Sequence, residues 1–327
     1  MSRWLTMVAA SVAGLVLAAV LVPVVATAPK TITGAAFRVV TFNVCGGNAA
    51  GRLNADPPQG CMYRPLDLAD SEAWAARLKA QILTGGAREP DAVMFQEMCA
   101  TQRELVAKEL PGYAVAWLPF RTNHYACPEW DERVRDASDP AGREFGTAIF
   151  FRGGITEGPL TTALPVVVQE SDTRGLLCAA SPIGGREALV CTVHNATTLL
   201  DEGAPQTAGQ IEQWARGRPV ILGGDFNAGP EDSHLGVFYG IDGGTGSFAE
   251  VDQADREHFP ERCEGRLTCR AGASTVTGGN DKKDYLFGTA SQLVWTDGEA
   301  VDPVGLTRIP DHRALIGDAA WRVTAHP

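Results

Sequence analysis

Between Pro219 and Pro230 the chain reads Pro-Val-Ile-Leu-Gly-Gly-Asp-Phe-Asn-Ala-Gly-Pro, and no other stretch restricts its fold as much. Val220, Ile221 and Leu222 form an apolar run bounded by glycines, the pattern of a buried strand. Asp225 and Asn227 follow at once, two residues apart, so an extended backbone projects both to the same side. Gly229-Pro230 closes the turn. A carboxylate and a carboxamide at the end of a buried strand stand where α/β folds place their chemistry.

Other strand ends repeat the pattern. Phe37 to Val44 is strand-like and carries Asn43 at its end; Pro90 to Glu97 is apolar until its last two residues; Val190 to Val193 leads into His194. Asp284 opens a short strand to Phe287, and Asp311-His312 opens a run to Ile316. Tyr113–Phe120, Phe145–Phe151 and Gln292–Trp295 read as further strands. Helices are expected over Asp70–Leu83, with Trp74, Leu78 and Ile82 on one stripe, and over Ala204–Gly217, carrying Ile211 and Trp214. Thr101-Gln102-Arg103-Glu104 reads as a capping box opening a third, to about Leu110. His124–Arg143 and most of 228–280 are polar and aperiodic, hence loops. Many strands, few helices and a hairpin argue for an α/β (α+β) sandwich of mainly antiparallel, mixed sheets with helices outside.

The chain has 327 residues, 45% hydrophobic and 20% charged, ample for one large core. From Trp4 to Ala28 nothing ionisable appears, which reads as an export signal. Cleavage after Ala26 or Ala28 is the first reading; an uncleaved membrane anchor is the second, since about 20 apolar residues span a bilayer. A tether over 29–36 then leads into a single domain over 37–327. The expected location is outside the cell, secreted or anchored at the outer face of the cytoplasmic membrane. Without residues 1–28 the chain carries 27 basic and 39 acidic groups. Such an acidic protein lacks the broad positive field of a non-specific duplex binder, though a locally basic cleft is compatible with it.

Eight cysteines, an even number, fit an oxidising compartment. A two-residue turn at Gly184-Gly185 places Cys178 opposite Cys191 in a non-hydrogen-bonded pair, where side chains approach most closely. Cys263 and Cys269 are expected to close a small loop, with a zinc site including His258 as the sharper alternative. Cys45, Cys61, Cys99 and Cys127 allow three connectivities, of which Cys45–Cys61 and Cys99–Cys127 close the shorter loops.

The polar strand ends suit hydrolysis of a phosphate ester with a hard divalent cation. Mg2+ takes oxygen ligands and keeps several waters; Glu97 and Asn43 supply such a set, with Asp311 as a further ligand. His312, oriented by Asp284, is the candidate base for water, and His194 and Asn227 are candidate donors to the phosphoryl oxygens. Thr41-Phe42-Asn43, Phe95-Gln96-Glu97, Val193-His194, Gly224-Asp225-Phe226-Asn227, Asp284-Tyr285 and Asp311-His312 together resemble the ordered motifs of the endonuclease/exonuclease/phosphatase family, across residues 38–316. The resemblance implies a four-layered sandwich, Asn43 and Glu97 at the metal, Asp225 and Asn227 at the water and phosphate, and His194 with Asp284 and His312 in acid–base work. His194 stands where apurinic-site endonucleases carry Tyr. Pro310 and Asn195 depart from the Ser and Leu common at those positions.

The expected activity is that of an exported phosphodiesterase with nucleic acid, DNA or RNA, as the first substrate, Mg2+ as cofactor (Mn2+ or Ca2+ as alternatives), and a monomer without a protein partner. A phosphomonoesterase or phospholipid phosphodiesterase is the alternative enzyme, and a catalytically silent surface-binding protein the alternative class. Arg262, Arg266, Arg270, Lys282 and Lys283 against Glu264 and Asp281 make residues 262–283 locally basic, a candidate source of phosphate-binding arginines.

Overall fold

In the computed structural model, which describes residues 32–45, 68–82, 88–121, 144–166, 174–253, 255, 263–266, 268–303 and 311–323, the apolar runs become strands of two mixed sheets. The first sheet contains β1 (Ile32–Asn43), β2 (Ala92–Cys99), β3 (Ala114–Arg121), β4 (Glu144–Phe151), β11 (Leu293–Val301) and β12 (Ala314–Val323), ordered β11-β12-β1-β2-β4-β3. The second contains β5 (Glu157–Leu164), β6 (Arg174–Ile183), β7 (Arg186–His194), β8 (Val220–Asp225), β9 (Phe248–Glu250) and β10 (Asp284–Thr289), ordered β5-β6-β7-β8-β10-β9. Each sheet has a parallel pair at its centre, β1 with β2 and β7 with β8, flanked by antiparallel partners. The four central strands therefore end at one rim, where their antiparallel neighbours β6, β10 and β12 begin.

Three apolar layers hold this arrangement. Phe37, Val39, Met94, Ile149, Leu177, Val190, Ile221 and Leu286 meet between the sheets. Trp74, Leu78 and Ile82 of α1 (Leu68–Ile82) and Leu105 and Val106 of α2 (Ala100–Glu109) cover the outer face of the first sheet. Ala204 and Ile211 of α3 (Leu200–Ala215) cover the second. The four-layered sandwich read from the motifs is the observed fold. Each fully buried Phe or Leu in it contributes about 1.5–3 kcal/mol.

The Gly184-Gly185 turn has φ of 53° and 79°, so the hairpin forms in the register expected, and Cys178 is disulfide-bonded to Cys191. Cys263 is bonded to Cys269, which removes both as zinc ligands. Cys45 and Cys99 are also disulfide-bonded, but Cys61, Cys127 and His258 lie outside the described residues. So do the export segment and the His124–Arg143 stretch, whereas residues 32–36 of the expected tether are the first residues of β1, paired with β12. The capping box lies elsewhere than at Thr101: α2 starts two residues earlier, and Cys99 N–H donates to Gln102 Oε1 at 2.8 Å. Thr101 is instead buried inside the first turn, because the polypeptide passes directly from β2 into the helix. The sequence reading missed β5, whose Gly158-Pro159 and Thr161-Thr162 offer little apolar signal; it is an edge strand, where Pro is tolerated.

One buried ion cluster locks the loops that lead into β10. Lys282 Nζ lies 2.7 Å from Asp252 Oδ1 and 3.2 Å from Glu250 Oε1, with Lys282 and Glu250 side chains fully buried. Burial opposes the charge on all three, yet Lys282 lowers the Asp252 pKa and the two acids raise that of Lys282; Glu250, buried beside Asp252, is pushed well up. Asp252 Oδ2 also accepts from Ala273 N–H at 2.7 Å. Lys282→Met leaves Asp252 buried and unpaired, and is expected to destabilise the fold by about 3–5 kcal/mol in urea unfolding. A cost below about 1 kcal/mol would mean that the cluster does not anchor these loops.

Candidate active site

Backbone geometry at the rim turns the strand ends toward one another. Asn43 pairs with Gln96 across β1 and β2, His194 with Asp225 across β7 and β8, and Asp225 with Asp284 across β8 and β10. Glu97 adopts φ of 54° at a break in the β2–β4 register between Phe95 and Met98, a bulge that re-aims its carboxylate. Asn227 adopts φ of 54°, which lets its N–H reach back to Asp225 Oδ1 at 2.9 Å. Below the rim, Gln96 Nε2 donates to Thr41 at 3.1 Å and to Thr192 at 2.7 Å, a buried link between the sheets.

Two carboxylates occupy the centre. Asn43 Nδ2 donates to Glu97 Oε1 at 3.0 Å and to Asp225 Oδ2 at 3.1 Å; His194 Nε2 lies 3.5 Å and 3.6 Å from the same two oxygens. Asn43 Oδ1 accepts from Cys45 N–H at 3.0 Å, so the amide presents N–H to the carboxylates and turns its oxygen away. Burial pushes Glu97 up to about 7, against Asn43, Arg174 and His312, which favour its anion. Even so, 19% of the Glu97 side chain is exposed. Burial also raises Asp225, and it lowers His194 well below the usual histidine value, with Arg174 and His312 adding to the effect. His194 is therefore neutral, and its Nδ1 has no hydrogen-bond partner among the described residues.

On the other side of Asp225 stands His312. Its Nδ1 is 2.7 Å from Asp284 Oδ2, and its Nε2 is 3.7 Å from both Asp225 Oδ2 and Asp311 Oδ1. Burial alone would strip its proton, but Asp284 and Asp225 outweigh that and hold its pKa up at about 10. Thr275 ties this half together: its Oγ1 accepts from Lys283 and Asp284 N–H, and its carbonyl accepts from Arg313 N–H.

All eight residues singled out in the sequence, Asn43, Glu97, His194, Asp225, Asn227, Asp284, Asp311 and His312, lie at this rim. Asn227 spends its Nδ2–H on the Asn195 carbonyl at 2.8 Å, and 39% of the Asp311 side chain is exposed. Sequence reasoning missed Arg174 and Thr275. Arg174 acts electrostatically on both Glu97 and His194, and Gly175 beside it pairs with His194. Arg174 carries no mark of this in the sequence: it opens β6, and the β6–β7 register, with Gly175 opposite His194, brings it to the rim.

Glu97, His194 and Asp225 form one group whose ligand atoms lie within 4.8 Å of one another, and Asp225, Asp284 and His312 form a second. Two carboxylates with converging oxygens at the centre fit a hard divalent cation.

The chain resembles several solved structures across nearly its whole length. The human nocturnin catalytic domain with bound sulfate superposes with a TM-score of 0.57 at 14% identity, covering 89% of this chain and 95% of that one. A D. rerio TDP2 complexed with single-strand DNA product gives 0.52 at 17%, covering 87% and 98%. The Bacteroides thetaiotaomicron mannosyl-6-phosphatase Bt3783 gives 0.55 at 17%, covering 86% and 99%. At these identities the likeness is one of fold. No curated protein matches the chain. The model of the Endonuclease/Exonuclease/phosphatase family matches residues 40–291, a stretch that includes every residue of the central cluster and stops before Asp311 and His312. The chain therefore belongs to the endonuclease/exonuclease/phosphatase family, whose members are hydrolases and mostly metal-dependent phosphoesterases.

Proposed function

We propose that this protein is an exported, divalent-metal-dependent phosphodiesterase, with nucleic acid as its first substrate. The observation that carries the reading is the double bridge at the centre, where Asn43 Nδ2 and His194 Nε2 each face both Glu97 Oε1 and Asp225 Oδ2, with the His312–Asp284 pair beyond. Glu97 and Asp225 would hold the cation, Mg2+ first, with Asp311 at the rim; Asn43, expected from the sequence as a ligand, spends its oxygen on Cys45 N–H and instead aligns the two carboxylates through its N–H groups. When bound, the cation supplies Lewis-acid charge at a phosphoryl oxygen.

The remaining chemistry belongs to side chains of this chain. Asp284 fixes the His312 ring through Nδ1, which leaves Nε2 to take the proton of the attacking water. With Asp225 engaged by a cation, His312 is relieved of one of the two carboxylates that hold its own proton, and its neutral form becomes accessible. Neutral His194 donates from Nε2 to a non-bridging oxygen as charge builds there. Arg174 adds fixed positive charge beside the same oxygens. Export is supported by the disulfides Cys178–Cys191 and Cys263–Cys269, which suit an oxidising compartment. We place residues 37–327 in one catalytic domain.

The test is nicking of supercoiled plasmid by the purified protein at low salt. Nicking is expected with Mg2+ and is expected to cease with chelator. If plasmid stays intact while a small chromogenic phosphodiester is cleaved, the chemistry stands and nucleic acid is not the substrate. No metal-dependent turnover on either would favour a binding protein.

A further inference from the structure

The basic segment 262–283 resolves into residues with separate fates. Lys282 is sequestered with Asp252 and Glu250, and Arg266 pairs with Asp242, its Nη1 at 3.0 Å from Oδ2. Arg270 differs from both. It is 8% exposed, and it pairs with no carboxylate among the described residues. Its guanidinium stacks 4.7 Å from the Tyr239 ring centroid. Of its five N–H groups, one on Nη1 reaches the Asp232 carbonyl at 3.4 Å and one on Nη2 the Asp242 carbonyl at 3.2 Å, while Nε–H has no acceptor. A buried cation left without an anion is costly, and an anion bound beside it would offset that cost.

Arg270 lines a cavity of about 840 Å³ together with Glu231, Ser233, Asp242, Glu264 and Arg266. The volume is that of a small-molecule site. None of the central carboxylates or histidines lines it, but its wall starts at Glu231, four residues after Asn227, at most about 14 Å away along an extended chain. The Cys263–Cys269 disulfide staples the segment carrying Glu264 and Arg266 into that wall. Asp242 is neutralised by Arg266, so the cation left to an incoming oxyanion is Arg270, with Ser233 on the exposed wall of the same cavity.

We propose that this cavity is a second anion subsite, which binds a phosphoryl group of a substrate whose scissile phosphodiester lies at the rim. The guanidinium fork matches phosphate oxygens, and Tyr239 holds its plane. The subsite thus selects substrates with a second phosphate and rests, for the other end of the substrate, on the phosphodiesterase reading.

Binding of inorganic phosphate tests the subsite without turnover. It is measured by calorimetry in chelator, where the carboxylates of the catalytic centre repel phosphate. Saturable binding is expected in wild type and in His312→Ala, with Kd raised about 30-fold or more by Arg270→Met. Arg270 also bridges two loops, so Ser233→Asp serves as the second variant: it sets a carboxylate at the exposed wall of the cavity, leaves the bridge intact, and is expected to weaken phosphate to the same degree. Turnover supplies the second arm, with thymidine 3′-(p-nitrophenyl phosphate) with and without a 5′-phosphate. Wild type is expected to favour the 5′-phosphorylated compound in kcat/KM by about 10-fold or more, a preference that Ser233→Asp removes. Absence of turnover with phosphate binding intact would sink the enzyme reading and leave the subsite standing. Phosphate binding that survives Ser233→Asp, is lost in His312→Ala, or is missing from wild type would overturn the subsite.

Discussion

Alanine at position 312 is expected to lower kcat for phosphodiester hydrolysis about 1,000-fold with KM little changed, as loss of a positioned general base does. The expectation follows from the placement of the ring: Nδ1 is committed to Asp284 at 2.7 Å, and Nε2 is directed to the rim between Asp225 and Asp311. The same contacts set a pH dependence of stability. In the chelated protein the folded-state pKa of His312 stands at about 10, against an ordinary 6.5, because Asp284 and Asp225 override burial. A raised pKa contributes stability that is complete below about pH 6.5 and is lost as pH rises through about 10. Urea unfolding in chelator should therefore show the wild-type advantage over His312→Ala shrinking between pH 7 and pH 10. An advantage that grew with pH would show that these carboxylates do not hold an imidazolium.

Gly224→Ala is expected to cost about 2–6 kcal/mol and to remove activity with it. Gly224 has φ of 144° and pairs with Val193 of β7, and a Cβ there would overlap the Val193 carbonyl and backbone nitrogen. Backbone strain of about 1–3 kcal/mol adds to overpacking of about 1–3 kcal/mol. Relief requires β7 to move away from β8, which separates His194 from Asp225, its neighbour one register step on. Circular dichroism melts and plasmid nicking on one preparation would check both consequences; an alanine variant that stays folded and active would show that the two strands tolerate separation.

Much of the site was legible because its chemistry sits next to strong local signals. Asp225 follows an apolar run stopped by glycines, and Asn43, Glu97 and His194 follow runs that are buried in the structure as well. The hairpin register was legible for a similar reason: a two-residue turn fixes every pair after it, Cys178 with Cys191 included. What escaped reading depends on neighbours distant in the sequence. The Thr101 box has the right letters, yet β2 runs directly into α2 and moves the start of the helix to Ala100. Arg174 carries no local mark, and β5 has too little apolar content to announce a strand. The orientation of the Asn43 amide is set by Cys45 N–H, a choice of hydrogen-bond direction that no residue type encodes.

The sequence by itself determined the apolar central strands, which of them carry acid, amide or imidazole at an end, and that six such ends in order belong to one family. Those properties follow from hydrophobic period and turn chemistry, which act over a few residues. Only the tertiary structure decided that Glu97 and Asp225, 128 positions apart, share the same two bridging groups. It also decided that His312, beyond the stretch matched by the family model, faces Asp225, and that Arg270 is buried with no carboxylate partner among the described residues while Arg266 and Lys282 are paired. Charge compensation depends on distance and burial, and both are set by how the two sheets pack rather than by the order of residues along the chain.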